Sequence, residues 1–81
     1  MISCAQYDAI EIVCMYFYPI KLTLKSGDEL ACKAMDTQRN ANGEECIKVK
    51  IEGSDRLVVL TSIWKLEICV ENPHFKIMSF I

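Results

Sequence analysis

The hydrophobic period of this chain changes once, at Pro19. Before Pro19 the apolar side chains recur at intervals of three and four, as on one face of a helix, at Tyr7, Ile10, Cys14 and Phe17. After Pro19, apolar and polar residues alternate with a period of two, as in half-buried strands. The pattern predicts one helix and then strands. Because no helical crossovers separate the strands, the sheet should be antiparallel.

Local signals predict both ends of the helix. Ser3 and Gln6 have the spacing of a capping box, in which the hydroxyl accepts an orphan backbone N–H and the amide reaches back. The helix should therefore start near Cys4. Pro19 should end it, because the proline ring pushes Tyr18 toward extended geometry.

Five or six short strands should follow the helix. Gly27 and Gly53 lie in the turns of two predicted hairpins. In the fifth strand, the alternation places Trp64 on the same face as Leu66. The predicted strands are residues 20–24, 30–34, 46–51, 56–60, 64–70 and 74–81, the last on β-propensity alone.

The expected fold class is α+β and mainly β. A helix would lie on a strongly bent antiparallel sheet that curls into a small barrel, forming one domain over residues 1–81. Residues 36–44 lack apolar alternation and contain Asn40, Asn42 and Gly43, so we expect the longest loop there. Loops of this kind carry function more often than strands do.

The charge of the chain is unevenly distributed. The net charge is -2, which argues against a nucleic-acid partner, and a hydrophobic content of 52% with mixed charges excludes a disordered chain or a membrane span. Asp8 and Glu11 are the only charged residues before Pro19. Two interpretations stay open: an ordinary helix with a favourable dipole, or a contact surface for a basic partner with Tyr7 and Tyr16 as anchors.

The residues needed for catalysis or metal binding are missing from the pattern. His74 is the single histidine and is expected in a solvated turn, and no nucleophile stands beside a base. We therefore expect no catalytic residue, no metal, no cofactor and no enzyme. Five cysteines without a Cys-x-x-Cys pair are expected as core or half-buried residues of a cytoplasmic protein, and no export signal is visible: Cys4, Cys14, Cys32, Cys46 and Cys69.

Two segments resemble a known family. Residues 4–14, C-A-Q-Y-D-A-I-E-I-V-C, are similar to the helical signature C-x-x-Y-D-x-L-E-x-A-C of the Rho-binding antiterminator family, Rof. Residues 22–36, L-T-L-K-S-G-D-E-L-A-C-K-A-M-D, are similar to its hairpin L-x-L-K-D-G-E-x-L-x-A-K-A-x-D. The resemblance covers roughly residues 2–70, so residues 73–81 match least.

The resemblance implies an Sm-like fold and a function without chemistry. Members of the family bind the hexameric transcription terminator Rho at the primary RNA-binding site of its N-terminal domain, which blocks RNA loading and reduces Rho-dependent termination. Carried over to this chain, Tyr7, Asp8 and Glu11 would meet basic residues of Rho as mimics of RNA phosphates. The loop residues that would join them are Arg39, Asn40 and Asn42.

Three aromatic residues depart from the family pattern at the end of the helix. We expect Phe17 to pack on the sheet, and the sequence leaves open whether Tyr16 and Tyr18 pack or add contact area. As a Rof-like inhibitor, the protein would be a monomer when free, without direct binding to nucleic acid or membrane. The alternative is an Sm-like RNA-binding protein, which the acidic helix disfavours.

Overall fold

One helix and six strands make up the fold in the computed structural model, which describes residues 2–80. Met1 and Ile81, the latter the end of the predicted last strand, lie outside the described residues. A single turn of 3₁₀ helix, Leu60–Ser62, joins the fourth and fifth strands. The elements are α1 (Cys4–Met15), β1 (Pro19–Leu24), β2 (Glu29–Arg39), β3 (Glu45–Ile51), β4 (Ser54–Val59), β5 (Ile63–Ile68) and β6 (Ile77–Ser79).

The six strands form one antiparallel sheet in the order β4-β3-β2-β1-β5-β6. The single helix and the antiparallel sheet confirm the predicted α+β, mainly β class. Within residues 2–80 no ladder joins β4 to β6, so hydrogen bonds do not close the sheet, and the small barrel stays a prediction. No helix in this part of the chain is long and apolar enough to cross a bilayer.

The capping box at the start of α1 is confirmed. The Ser3 hydroxyl accepts the backbone N–H of Gln6 at 3.2 Å, and the Gln6 side chain accepts the Ser3 N–H at 2.9 Å. The Gln6 amide also donates to the carbonyl of Ser79 at 3.1 Å. The cap therefore ties the helix start to β6 as well as satisfying its orphan donors.

The end of α1 differs from the prediction. The last helical residue is Met15, so Pro19 does not end the helix but starts β1. Phe17 reverses the chain in a left-handed conformation with φ 52°, and Tyr18 donates its N–H to the carbonyl of Val13 at 3.0 Å. This hydrogen bond satisfies a carbonyl at the helix end, so the helix has already ended when the chain reaches Pro19.

The core lies between α1 and the sheet. Ile10 and Val13 of the helix are fully buried, and α1 packs mainly against β2. Both predicted hairpin turns are confirmed, and the β3–β4 turn places Glu52 and Gly53 at φ 50° and 84°, as a two-residue turn requires. The sheet contributes most of the buried side chains, among them Ile20, Leu22, Ala34, Ile47, Val49, Ile63 and Leu66.

The predicted long loop at residues 36–44 is wrong. Strand β2 continues through Arg39, and only residues 40–44 form the connection to β3. A register shift between Ala34 and Asp36 marks an irregularity in β2, beyond which its side chains are exposed on both faces. A strand exposed on both faces has no apolar alternation, and its sequence therefore looks like a loop.

A second register irregularity corrects the prediction for β5. The pairing of β1 with β5 shifts between Thr23 and Leu24, so that Ile63 is fully buried while Trp64 remains 45% exposed. The predicted placement of Trp64 on the same face as Leu66 is thus wrong, since a one-residue shift moves a side chain to the opposite face.

The bounds of the last two predicted strands are also corrected. Val70 lies beyond β5 and is exposed, and β6 spans only Ile77–Ser79 of the predicted last strand. Cys4 and Cys69 are exposed rather than packed in the core, whereas the remaining three cysteines are buried or half-buried.

Candidate functional site

A groove runs between α1 and the adjoining ends of β2 and β3. It brings together Tyr7, Glu11 and Arg39, three of the six residues predicted to contact a partner. A second depression lies toward the end of the helix and shares Glu11 and Thr37 with the first. We call the two depressions together the α1–β2 groove. Its full lining is Tyr7, Glu11, Cys14, Met15, Phe17, Met35, Asp36, Thr37, Gln38, Arg39, Glu45, Cys46 and Leu60.

Tyr7 forms one wall of the α1–β2 groove. It stands one turn after the cap, where its N–H donates to the carbonyl of Ser3 at 3.0 Å. The side chain is half-buried and packs against the core, so its position is set by the protein itself. An aromatic side chain held in this way offers contact area with little loss of conformational entropy on binding.

Asp8 and Glu11 are exposed on the same helix, three residues apart. The four ion pairs among residues 2–80 use other carboxylates, so both side chains are free of internal cations. Glu11 faces the α1–β2 groove, whereas Asp8 is outside its lining. The structure therefore places Glu11 in the groove and Asp8 outside it, although their helical spacing predicts that both lie on one face of α1.

Arg39 is engaged by its own hairpin. Its Nη1 donates to the carbonyl oxygen of Gly43 at 2.7 Å, and Nη2 lies 3.2 Å from Oε1 of Glu45. The guanidinium charge in the groove is thus compensated by a neighbouring carboxylate, and much of its hydrogen-bonding capacity serves the turn.

Asn40 organises the β2–β3 turn. Its Oδ1 accepts the backbone N–H groups of Asn42 and Glu44, each at 3.0 Å, and its Nδ2 donates to Oε1 of Glu44 at 3.0 Å. The Asn42 side chain, in contrast, is exposed and makes no hydrogen bond within the described residues. Of the two predicted asparagines, one shapes the turn and the other presents its amide to solvent.

The strand side of the groove, formed by β2 and the start of β3, adds polar residues that the sequence prediction missed. Asp36, Thr37, Gln38 and Glu45 all line the groove, and Asp36 Oδ1 accepts the Thr37 N–H at 2.8 Å. A signal was present, because the polar run 36–40 begins one residue after the predicted strand 30–34. Read as a strand exposed on both faces, this run would have indicated the wall of the groove.

Cys14 is the one thiol in the described lining near the helix end, and it is not activated as a nucleophile. Burial, and secondly the nearby Asp36 carboxylate, raises the pKa of Cys14 from 9.0 to about 12. The thiol therefore stays protonated at neutral pH, where a nucleophile would need to be a thiolate. The groove is negatively charged, because its described lining carries three carboxylates, on Glu11, Asp36 and Glu45, and one cation, the Arg39 guanidinium.

The single histidine lies outside the α1–β2 groove. His74 is exposed, as predicted, but it also stacks on the Tyr16 ring at 5.1 Å between centroids, and Tyr16 stacks on Tyr18 at 5.3 Å. The two tyrosines that the sequence left open thus form an aromatic cluster with the histidine. Across residues 2–80, no group of three or more His, Cys, Asp or Glu side chains is arranged to hold a metal ion.

Comparison with known proteins connects this geometry to one family. A family model described as modulator of Rho-dependent transcription termination (ROF) matches residues 1–80. The chain is also similar to a solved structure of YaeO bound to magnesium from Vibrio cholerae O395, with a TM-score of 0.89 and 39% sequence identity. That match covers 94% of this chain and 99% of the other. A search of curated proteins finds no match.

Proposed function

Because the chain belongs to the Rof family of modulators of Rho-dependent transcription termination, we propose that it inhibits termination by occupying the primary RNA-binding site of Rho. The contact is made with the N-terminal domain of the Rho hexamer. Residues 1–81 act as one Sm-like domain, a monomer when free, in the bacterial cytoplasm where Rho works. It functions without a cofactor, a catalytic step, a membrane or direct binding to nucleic acid.

The observation that carries this proposal is the free carboxylate of Glu11 beside the half-buried ring of Tyr7. A site on Rho that holds RNA phosphates must present basic groups, and carboxylates form charge-assisted hydrogen bonds with the same groups. Tyr7 supplies buried aromatic area at the centre of the contact. Asp8, outside the groove but exposed, extends the negative surface and steers association with a basic partner.

The β2–β3 turn has a divided role in the proposed complex. Arg39 and Asn40 hold the shape of the turn through their bonds to Gly43 and Glu44. Asn42 contacts Rho, because its amide is exposed and its side chain has no hydrogen bond within the described residues. The two elements that flank the groove thereby approach Rho together.

A competition experiment tests the proposal. A labelled pyrimidine-rich RNA is bound to purified Rho, this protein is titrated in, and the same RNA is mixed with this protein alone. We expect displacement of the RNA from Rho and no binding of RNA by the protein alone. RNA binding by the protein alone, with no displacement from Rho, would instead establish the Sm-like RNA-binding alternative.

Two variations sharpen the same experiment. Since the contact is electrostatic in part, we expect the association rate with Rho to fall as salt is raised. The similar YaeO structure is described as magnesium-bound, so the titration is repeated with and without Mg²⁺. We propose that displacement does not depend on the ion, because the groove carboxylates pair with Rho side chains directly. Loss of displacement on chelation alone would contradict that part of the proposal.

A further inference from the structure

Phe17 has a backbone conformation that suits glycine. The Phe17 N–H donates to the carbonyl of Cys14 at 3.3 Å and the Tyr18 N–H to that of Val13 at 3.0 Å, with Phe17 at φ 52° between them. This is the arrangement in which helices end on a left-handed residue, usually glycine and sometimes asparagine. A bulky aromatic residue there is strained by contact of its Cβ with the backbone.

Burial does not compensate for this strain. The Phe17 side chain, which was predicted to pack on the sheet, is 50% exposed and is not part of the hydrophobic core. The Nζ of Lys33 lies 5.9 Å from the centroid of its ring, at the range of a cation–π contact. An exposed contact of that kind is weak, so the folded chain gains little by placing a phenylalanine at this position.

The position of the ring is informative. Phe17 lines the α1–β2 groove together with Glu11, the residue on which the proposed function depends. Met15, which is 67% exposed, and the half-buried Met35 provide apolar surface in the same part, and Asp36 provides a second carboxylate. The depression thus combines an aromatic ring, two flexible thioethers and two acids.

We propose that Phe17 is a contact residue for Rho and that this end of the groove takes one arginine or lysine side chain of the partner. The inference rests on the proposed function and names the chemistry of its occupant. The aliphatic stem lies on Met15 and Met35, and the cationic head reaches Glu11 and Asp36 beside the Phe17 ring. Charge complementarity selects this occupant, because an apolar or acidic side chain would leave two carboxylates desolvated without a partner.

The strain at Phe17 allows binding to be separated from folding. In Phe17→Gly the ring is lost and the left-handed conformation becomes unstrained, so the denaturation midpoint should stay the same or rise. Affinity for Rho should fall by about tenfold or more, as for an aromatic anchor at an interface. Phe17→Asn, which also tolerates the conformation, should behave in the same way.

Matched variants identify what the ring contributes. Phe17→Tyr keeps an aromatic face and should bind Rho like the wild type, whereas Phe17→Leu keeps apolar bulk and should bind less tightly. Trp64→Ala removes an aromatic side chain of similar exposure, 45%, from β5, outside the groove lining, and should leave Rho affinity unchanged. Asp36→Asn removes one of the two carboxylates and should weaken binding several-fold.

Each outcome of these titrations decides a different point. If the wild type does not bind Rho, the proposed function fails and this inference fails with it. If the wild type and Phe17→Gly bind equally, only the inference fails. Unfolding of both Phe17→Gly and Phe17→Asn would also overturn it, because it requires phenylalanine to be dispensable for the fold. Loss of binding by a stably folded Phe17→Gly protein, with Trp64→Ala unaffected, supports it.

Discussion

The two sides of the α1–β2 groove are both polar but use their polar groups differently. On the helix side, Glu11 projects from a capped helix with no ion pair among the described residues. On the turn side, Arg39 and Asn40 direct their polar atoms back onto residues 42–45. The Glu11 carboxylate is available to a partner, whereas the polar atoms of Arg39 and Asn40 mostly hold the turn itself.

An exposed polar side chain is therefore not always available to a partner. Arg39 is exposed, yet its guanidinium already has two acceptors at 2.7 and 3.2 Å, which a partner would need to replace. A group without internal partners loses only water on binding, so its contribution to affinity is larger. Substitutions on the two sides of the groove test this contrast.

Charge reversal on the helix side should have the largest effect. We expect Glu11→Lys to weaken Rho binding by about 2–5 kcal/mol, roughly 30-fold or more, because a favourable charge pair becomes a repulsive one. Stability should change by no more than about 0.5 kcal/mol, since the side chain is exposed. Isothermal titration with Rho and urea denaturation measure the two quantities.

Two further charge reversals test whether position matters. Asp28→Lys makes the same charge change at the opposite end of β2 from Arg39 and should leave binding almost unaffected. Asp8→Lys, outside the groove lining, should mainly slow association. Equal losses for all three variants would mean that net charge, rather than the groove, determines binding.

The turn side should respond in stability rather than in binding. Asn40→Ala removes an acceptor for two backbone N–H groups and a donor to Glu44, and should cost about 1–2 kcal/mol in the free energy of unfolding. Asn42→Ala should change stability by under about 0.5 kcal/mol but weaken Rho binding. If the effects of these two variants were exchanged, the assignment of their roles would be wrong.

The cap of α1 should contribute an intermediate amount to stability. Ser3→Ala removes the hydroxyl that accepts the Gln6 N–H and should cost about 1 kcal/mol in a urea titration. Because Tyr7 follows one turn later, fraying should also reduce Rho affinity. Ser54→Ala, an exposed serine at the start of β4, is the matched control and should change neither quantity. A silent Ser3→Ala would show that packing alone holds the helix start.

Neutralising the turn-side cation should have the smallest effect. Arg39→Gln loses an exposed ion pair with Glu45 at 3.2 Å, which should cost under about 1 kcal/mol of stability. Rho binding should change less than about threefold, because the charge is already compensated. A loss of affinity comparable to that of Glu11→Lys would instead place Arg39 among the direct contacts.

Local sequence signals predicted the elements well but misplaced the C-terminal ends of α1 and β2. The capping box at Ser3 and the glycine turns at Gly27 and Gly53 depend on neighbouring residues only, and all three are observed. The helix end and the start of the β2–β3 turn were misplaced. Both depend on contacts with other elements: α1 ends on Phe17 in a left-handed conformation, and β2 continues because β3 pairs with it.

The candidate site was predicted in part for the same reason. Tyr7 and Glu11 were found because their helical spacing and the family signature lie within one segment. Asp36 and Glu45 were missed because they join the site only when β2 and β3 pair beside α1. No local pattern could show that Arg39 is paired with Glu45, since that contact depends on the turn between them.

The order of elements, the acidic helix and the family can be read from the sequence alone, because hydrophobic period, capping and motif spacing are properties of short segments. Which polar groups are free depends on the folded arrangement of the chain. Hydrogen bonds and ion pairs form between segments brought together by folding, and they occupy Arg39 and Asn40 while leaving Glu11 unpaired within the described residues. Folding also placed Phe17, which was expected to pack on the sheet, at the edge of the groove with half of its side chain exposed.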